Sequence, residues 1–372
     1  MAAGGLITAP QIARAATNER QSEKKWDRLF LFDQAPELPG HPYGSFDFTH
    51  MFTMQGDVYP GTNMTGANMT TATWYREPIP DWQVYRPQVH NDDVIMGFFG
   101  CNTADPFELG AEVEIYIEGK PYSFKRSCLL YLPQGVEHGP WNIKKIDRPI
   151  FVMAMHGLPN PATWHGFSAK DPKWSKYPEF PGREYLKVVN MEDISPEAIT
   201  PEKYKHYGPL HPIKKEEKVD YWKNFIFDPI PGAGHQAGSA DFTHMFDLHH
   251  NIIPRSNKTF CAMFRGPLPF WQRYRPHIHA DDEILCYFGM DPDDPFDLGA
   301  EVEIYIEDEP YTFDRSCMLY MPAGRQHIPW RIKNVKGKGF FSMYAHGAGI
   351  TGKTAGRTDR DEKWKAYPWV EE

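Results

Sequence analysis

The feature that most constrains this chain is that it is written twice. "DPFELGAEVEIYIE" (105–118) and "DPFDLGAEVEIYIE" (294–307) differ at one position, Glu108 against Asp297. "DFTHMF" occurs at 47–52 and again at 241–246, and "RSCLLYLPQGVEHGPW" (126–141) returns as "RSCMLYMPAGRQHIPW" (315–330). Weaker matches, "FLFD" with "FIFD" ahead and "DPKWSKYP" with "DEKWKAYP" behind, extend each unit to about 150 residues. A self-similar unit of that length is a domain, so the repeat fixes the architecture before any local reading begins. The 372 residues divide into an N-terminal arm (1–24), a first unit (25–180), a connector with short helices (181–220) and a second unit (221–372).

Inside each unit the apolar pattern has the period of a strand. Val302, Ile304 and Ile306 alternate with Glu301, Glu303, Tyr305 and Glu307, as in a strand buried on one face. "TFCAMF", "EILCYF", "SCMLYM" and "GFFSMYAHG" read as further strands, and the 34 prolines and 30 glycines punctuate them. Many short strands with turn signals between them predict an all-β sandwich or barrel, and two units predict a double barrel.

Composition excludes several classes. A net charge of −9 argues against nucleic acid as a partner, which calls for a basic face. No stretch approaches the roughly 20 apolar residues of a membrane helix, and the N-terminus is a poor secretory signal, so a cytoplasmic protein with no membrane partner is expected. Five cysteines do not suggest a disulfide framework.

Where the copies differ is more informative. "RPHIHADDEI" (275–284) answers "RPQVHNDDVI" (86–95), and His277 and Glu283 of the second unit stand where the first has Gln88 and Val94. On a strand, Arg275, His277 and His279 share one face, and Glu283 has the same parity. A Pro-Gly turn then leads to His327. Three imidazoles and one carboxylate suit Mn, Fe, Zn, Ni or Co better than Ca or Mg. A lone histidine on a half-exposed strand is ordinary; four such residues in this order predict a metal site.

These residues resemble the cupin superfamily, and the tandem copy resembles a bicupin, over nearly the whole chain. Two histidines one residue apart followed by a Glu match the first cupin motif at His277, His279 and Glu283, with its closing Gly displaced by one position to Gly289. Pro322, Gly324 and His327 match the second, which departs from the pattern at Ser316 and Arg331. The resemblance implies two double-stranded β-helix (jelly-roll) barrels in tandem, with metal ligands His277, His279, Glu283 and His327. One divalent ion per chain is expected, Mn first, in the second barrel only. The first barrel keeps only His90 and His138, and is expected to survive as structure.

The comparison between halves sorts other residues. Asp241, His244 and His346 recur as Asp47, His50 and His156, and Asp281 and Asp282 as Asp92 and Asp93. Residues kept by both halves are read mainly as hydrogen-bonding and turn-capping groups, with a pocket role for Asp241, His244 and His346 as the alternative. His249 and His250 replace Gln55 and Gly56, so either is a surface histidine or a group serving substrate, His250 as catalytic proton carrier and His249 as substrate donor. Arg275, aimed inward by its parity, is expected to hold an anionic substrate and stabilise charge in the reaction.

Three functions fit: a metal enzyme, a storage or binding double barrel, and a sensor. The ligand set favours the enzyme, with a small oxygenated molecule as substrate, a cyclic diketone, enol or phenol derivative. Cupins with such ligands include Fe(II) ring- and diketone-cleaving dioxygenases as well as hydrolases. Methionine and cysteine near the second site (Cys286, Met290, Cys317, Met318, Met321) favour water over O₂ if exposed, and are core fillers if not. The sequence style is similar to bicupins of anaerobic aromatic degradation such as the manganese-dependent dihydrophloroglucinol cyclohydrolases, which implies hydrolytic carbon–carbon cleavage. A homo-oligomer is compatible with all of this.

Overall fold

The computed structural model of the chain describes residues 24–32, 47–54, 67–79, 87–90, 92–157, 163–165, 220–228, 242–249, 253, 256, 258–268, 276–279, 282–307, 309–346 and 354–357. Among the described residues the regular elements are strands and two short 3-10 turns, Asp27–Leu29 and Tyr221–Asn224. The connector, where short helices are expected, falls on residues outside those described apart from Asp220, and the N-terminal arm does so apart from Lys24.

Each repeat builds a barrel from a six-stranded and a five-stranded antiparallel sheet. In the second barrel the larger sheet runs Phe30–Leu31, Cys317–Met321, Glu283–Gly289, Phe340–His346, Thr259–Phe264, Phe242–Leu248. The smaller runs Glu309–Arg315, Asp297–Ile306, His327–Val335, His277–His279, Thr354–Arg357. The first barrel repeats both orders with the equivalent strands. The tandem jelly-roll expected from the repeat is the fold that forms.

The outermost strands of the larger sheets are exchanged. Phe30–Leu31, at the start of the first unit, pairs with Leu319 and Met318 of the second barrel. Phe225–Ile226, at the start of the second unit, pairs with Leu130 and Leu129 of the first. The matched "FLFD" and "FIFD" segments thus each close the other repeat's sheet. Phe30 packs there against Tyr311 and Phe313, with ring centroids 5.4 and 5.7 Å away, and the Trp26 amide donates to the Tyr311 hydroxyl at 2.9 Å.

The central strands explain their unbroken apolar runs. Val94–Gly100 and Glu283–Gly289 are buried on both faces. Val94, Met96 and Phe98 fill the first barrel, whereas Ile95 and Phe99 belong to the core shared with the second. Across that seam Phe99 meets Phe341 at 4.4 Å, and Phe288 meets Phe151 at 4.9 Å and Phe52 at 5.8 Å. The displaced Gly289 has a steric cause. A Cβ there would sit 1.9 Å from the Asp297 carbonyl oxygen, so only glycine lets the chain cross so closely.

Candidate metal centre

Three segments meet at one end of the second barrel. His277–His279 is a strand of the smaller sheet, with His277 opposite His327 in the ladder. Glu283 opens the central strand of the larger sheet, between Met321 and His346. The turn that delivers His327 is fastened to the same place. Asp282 accepts the Ala323 amide at 2.9 Å, and the Pro322 carbonyl accepts the Arg325 N–H at 3.1 Å. Asp93 accepts the Gln134 amide at 2.8 Å in the first barrel, so this aspartate is the turn cap expected of it. Gly324 takes φ of 74°, the left-handed conformation that the turn requires.

Glu283 and His327 converge. Both are buried (4% and 1% exposed), and His327 Nε2 lies 2.7 Å from Glu283 Oε2. The other ring nitrogen, Nδ1, is 2.9 Å from the Arg325 carbonyl oxygen. A carbonyl can only accept, so Nδ1 carries the hydrogen and Nε2 turns a lone pair toward a carboxylate oxygen. Two lone pairs at that distance are held together by a cation between or beside them, either a proton on the ring or a metal ion. The second-sphere hydrogen bond from Nδ1 to a carbonyl is also what orients a metal-ligating imidazole. The donor set therefore fits a divalent transition metal.

His277 and His279 occupy the expected strand positions, and their side chains lie outside the described residues, as do Arg275 and His250 altogether. His249 follows the last residue of Phe242–Leu248. Register places it on the row of His346 and Glu283, since Leu248 pairs with Thr259, Thr259 with Ala345, and His346 with Glu283. That is three strands from Glu283, about 14 Å along the sheet at roughly 4.8 Å per strand. His249 is half-buried and faces Asp247, whose carboxyl burial pushes up while His244, His249 and Lys258 oppose the shift.

Two further residues lie near the site, one read in the sequence mainly as structural and one not singled out there. His346, 1% exposed, places Nε2 3.8 Å from Glu283 Oε1, on the oxygen that His327 does not take. Its presence in both halves argued mainly for structure, with a pocket role as the lesser reading, and the structure puts it beside the carboxylate. Tyr287 lies on the same strand face as Glu283, fully buried against Phe313 and Trp330 at 5.1 and 5.8 Å. Its hydroxyl has no hydrogen-bond partner among the described residues, and burial drives its pKa well up, with the Glu283 charge adding to the shift. The first barrel has Phe98 there, so the difference between halves was the available signal.

Ile328, next after His327, has φ of 67°, where its counterpart Gly139 has 81°. A β-branched residue in that region costs about 1–2 kcal/mol, a local strain adjoining the ligand turn. In the first barrel Val94, buried among apolar side chains, fills the place of Glu283. His138 repeats the anchoring of His327, with Nδ1 2.9 Å from the Val136 carbonyl, and burial lowers its pKa to about 4. His50 bonds Thr73 and Thr53 at 2.9 and 2.7 Å, and buried His244 stacks on Phe260 at 4.6 Å, so this pair is structural as expected. Cys286, Met290, Cys317, Met318 and Met321 are all buried and fill the core; the oxidation cue does not apply to them.

No protein-family model matches the sequence, and no curated protein matches it. Among solved structures, the 11S globulin from Wrightia tinctoria is 11% identical, with TM-score 0.43, over 82% of this chain and 84% of that one. Vicilin from Capsicum annuum is 11% identical (TM-score 0.41, 80% of each chain). AerE from Microcystis aeruginosa is 9% identical (TM-score 0.38), over 86% of this chain and 99% of that one. These likenesses concern the course of the chain and carry no argument about its chemistry.

Proposed function

We propose that the chain is a metal-dependent bicupin enzyme that cleaves a carbon–carbon bond of a small cyclic 1,3-diketone or related enol by hydrolysis, like the dihydrophloroglucinol cyclohydrolases. The observation that supports this most is the convergence of Glu283 and His327 at 2.7 Å, buried in the repeat that kept its carboxylate. His277, His279, Glu283 and His327 are the residues that would hold a divalent ion, Mn first and Fe, Zn, Ni or Co as alternatives. When bound, such an ion supplies Lewis acidity for a chelated dioxygenated substrate and for a water.

The protein's own groups have distinct tasks. Arg325 O fixes the His327 ring through Nδ1, and His346 steadies the second oxygen of Glu283. Arg275 meets the anionic oxygen that develops as the ring opens. His250 is the residue assigned to move the proton between water and the departing carbon, since register sets His249 three strands from Glu283. Tyr287 contributes a hydroxyl to an otherwise aromatic interior.

The test is turnover of cyclic 1,3-diketones under strict anaerobiosis, in water enriched in heavy oxygen. Label in the product carboxylate supports hydrolysis. Strict dependence on O₂, with gas-derived oxygen in the product, replaces it with the dioxygenase reading. No turnover of diketones or catechols with any of these metals would favour a binding or storage role.

A further inference from the structure

The first barrel lacks two of the four expected ligands, yet it gathers other donors around the two that remain. His90, Asp92 and His156 are buried (6%, 1% and 8% exposed). One ligating atom from each lies within 4.8 Å of the others. His156 Nδ1 meets Asp92 Oδ1 at 3.3 Å, and the His90 ring stands edge-on to His156 with centroids 4.7 Å apart. On its other side His90 tilts over His138 at 5.0 Å, and the His138 Nδ1 is turned to the Val136 carbonyl, which leaves Nε2 for the interior.

The composition of this cluster is three imidazoles and one carboxylate, as in the second barrel, but from other positions. His90 and His138 correspond to His279 and His327. In place of a histidine at half-exposed Gln88, the third imidazole is His156 on the neighbouring sheet, the counterpart of His346. In place of a carboxylate at Val94, the acid is Asp92, two residues earlier, the counterpart of Asp281. Val94 has filled the vacated space with apolar bulk, yet Asp92, His90 and His156 stay buried together beside it, with half-buried His138 next to them. Burying such groups is costly unless they serve one another or an ion.

We propose that the first barrel holds a second divalent-metal site, with His90, Asp92 and His156 as ligands and His138 completing the set. Three interior ligands, with half-buried His138 as the fourth, would make a site of the structural kind, suited to an ion such as Zn(II) that accepts nitrogen and oxygen in four-coordination. The ion ties the smaller-sheet strand Gln88–His90 to the larger-sheet strand Ile150–His156 across the barrel. This departs from the one-ion expectation of the sequence and goes beyond the proposed activity, which needs only the second barrel.

The experiment is Co(II) titration of the chelator-stripped full-length protein, followed by elemental analysis after gel filtration and by the visible absorption of four-coordinate cobalt. Wild type should take two equivalents. The double variant Glu283→Gln/His327→Ala should keep one, with the four-coordinate band intact and thermal stability still raised by the metal. Asp92→Asn and His156→Gln should each lose that band and one equivalent. If wild type takes one equivalent and the Glu283/His327 variant takes none, the proposal is overturned. It is overturned equally if folded Asp92→Asn and His156→Gln proteins bind as wild type does. One equivalent that survives in the Glu283/His327 variant and disappears in Asp92→Asn would uphold this site and reject the second-barrel centre.

Discussion

At the scale of single residues, Glu283 and His346 separate two kinds of contribution. Glu283 faces His327 directly, so Glu283→Gln should lower metal affinity of the second barrel by more than about a hundredfold, read by competition with a chromophoric chelator. His346 acts through the carboxylate, and His346→Gln should cost about 10–100-fold, with metal stoichiometry restored at saturating ion. Equal losses in the two variants would place His346 among the ligands instead. His50 gives a pH prediction. Burial holds its pKa at about 4, below its ordinary 6.5, so the unfolded chain binds the proton first as pH falls. Its share of stability is complete above pH 6.5 and is lost between 6.5 and 4, at up to about 1.4 kcal/mol per pH unit. Urea unfolding at pH 7.0, 5.5 and 4.5 should show that decline, and His50→Gln should flatten it.

Among elements, the exchanged strands matter most. Phe30 is buried and its ring lies against Phe32, Tyr311 and Phe313, the last two in the second barrel. Phe30→Ala should therefore cost about 3 kcal/mol. Because Phe30–Leu31 pairs with the strand Cys317–Met321 that neighbours Glu283, the damage should appear in the far repeat. Hydrogen exchange is the check: amides of Cys317–Met321 should lose protection in Phe30→Ala, and amides of Cys128–Leu132 should lose it in Phe225→Ala. Loss confined to the mutated strand's own repeat would contradict the exchange.

For the whole molecule, the repeats depend on one another twice over, through exchanged strands and through the aromatic seam of Phe52, Phe99, Phe151, Phe288 and Phe341. A fragment of residues 210–372 would lack Phe30–Leu31, expose that seam and carry Phe225–Ile226 with nothing to pair. It should be insoluble or should associate, and co-expression with residues 1–209 should rescue it. A monomeric, soluble fragment in sedimentation analysis would contradict this. The repeat itself, the strand period of "AEVEIYIE" and the ligand motif were all legible in the sequence, because near-identical segments and period-two alternation are local properties of the chain.

The sequence by itself determined that there are two equivalent all-β units and that one of them lacks a carboxylate and a histidine that the other has. Tertiary structure decided the rest. Whether Phe30–Leu31 closes its own sheet or the other repeat's depends on where a connector leads, which no local pattern encodes. His346 reaches Glu283, and His156 reaches Asp92, across strands more than sixty residues apart in sequence, through antiparallel register. Conservation between halves made both histidines look structural, because a comparison of positions sees identity and not proximity. Only the closed barrel brings them within reach of a carboxylate, and it does so with a different carboxylate in each half.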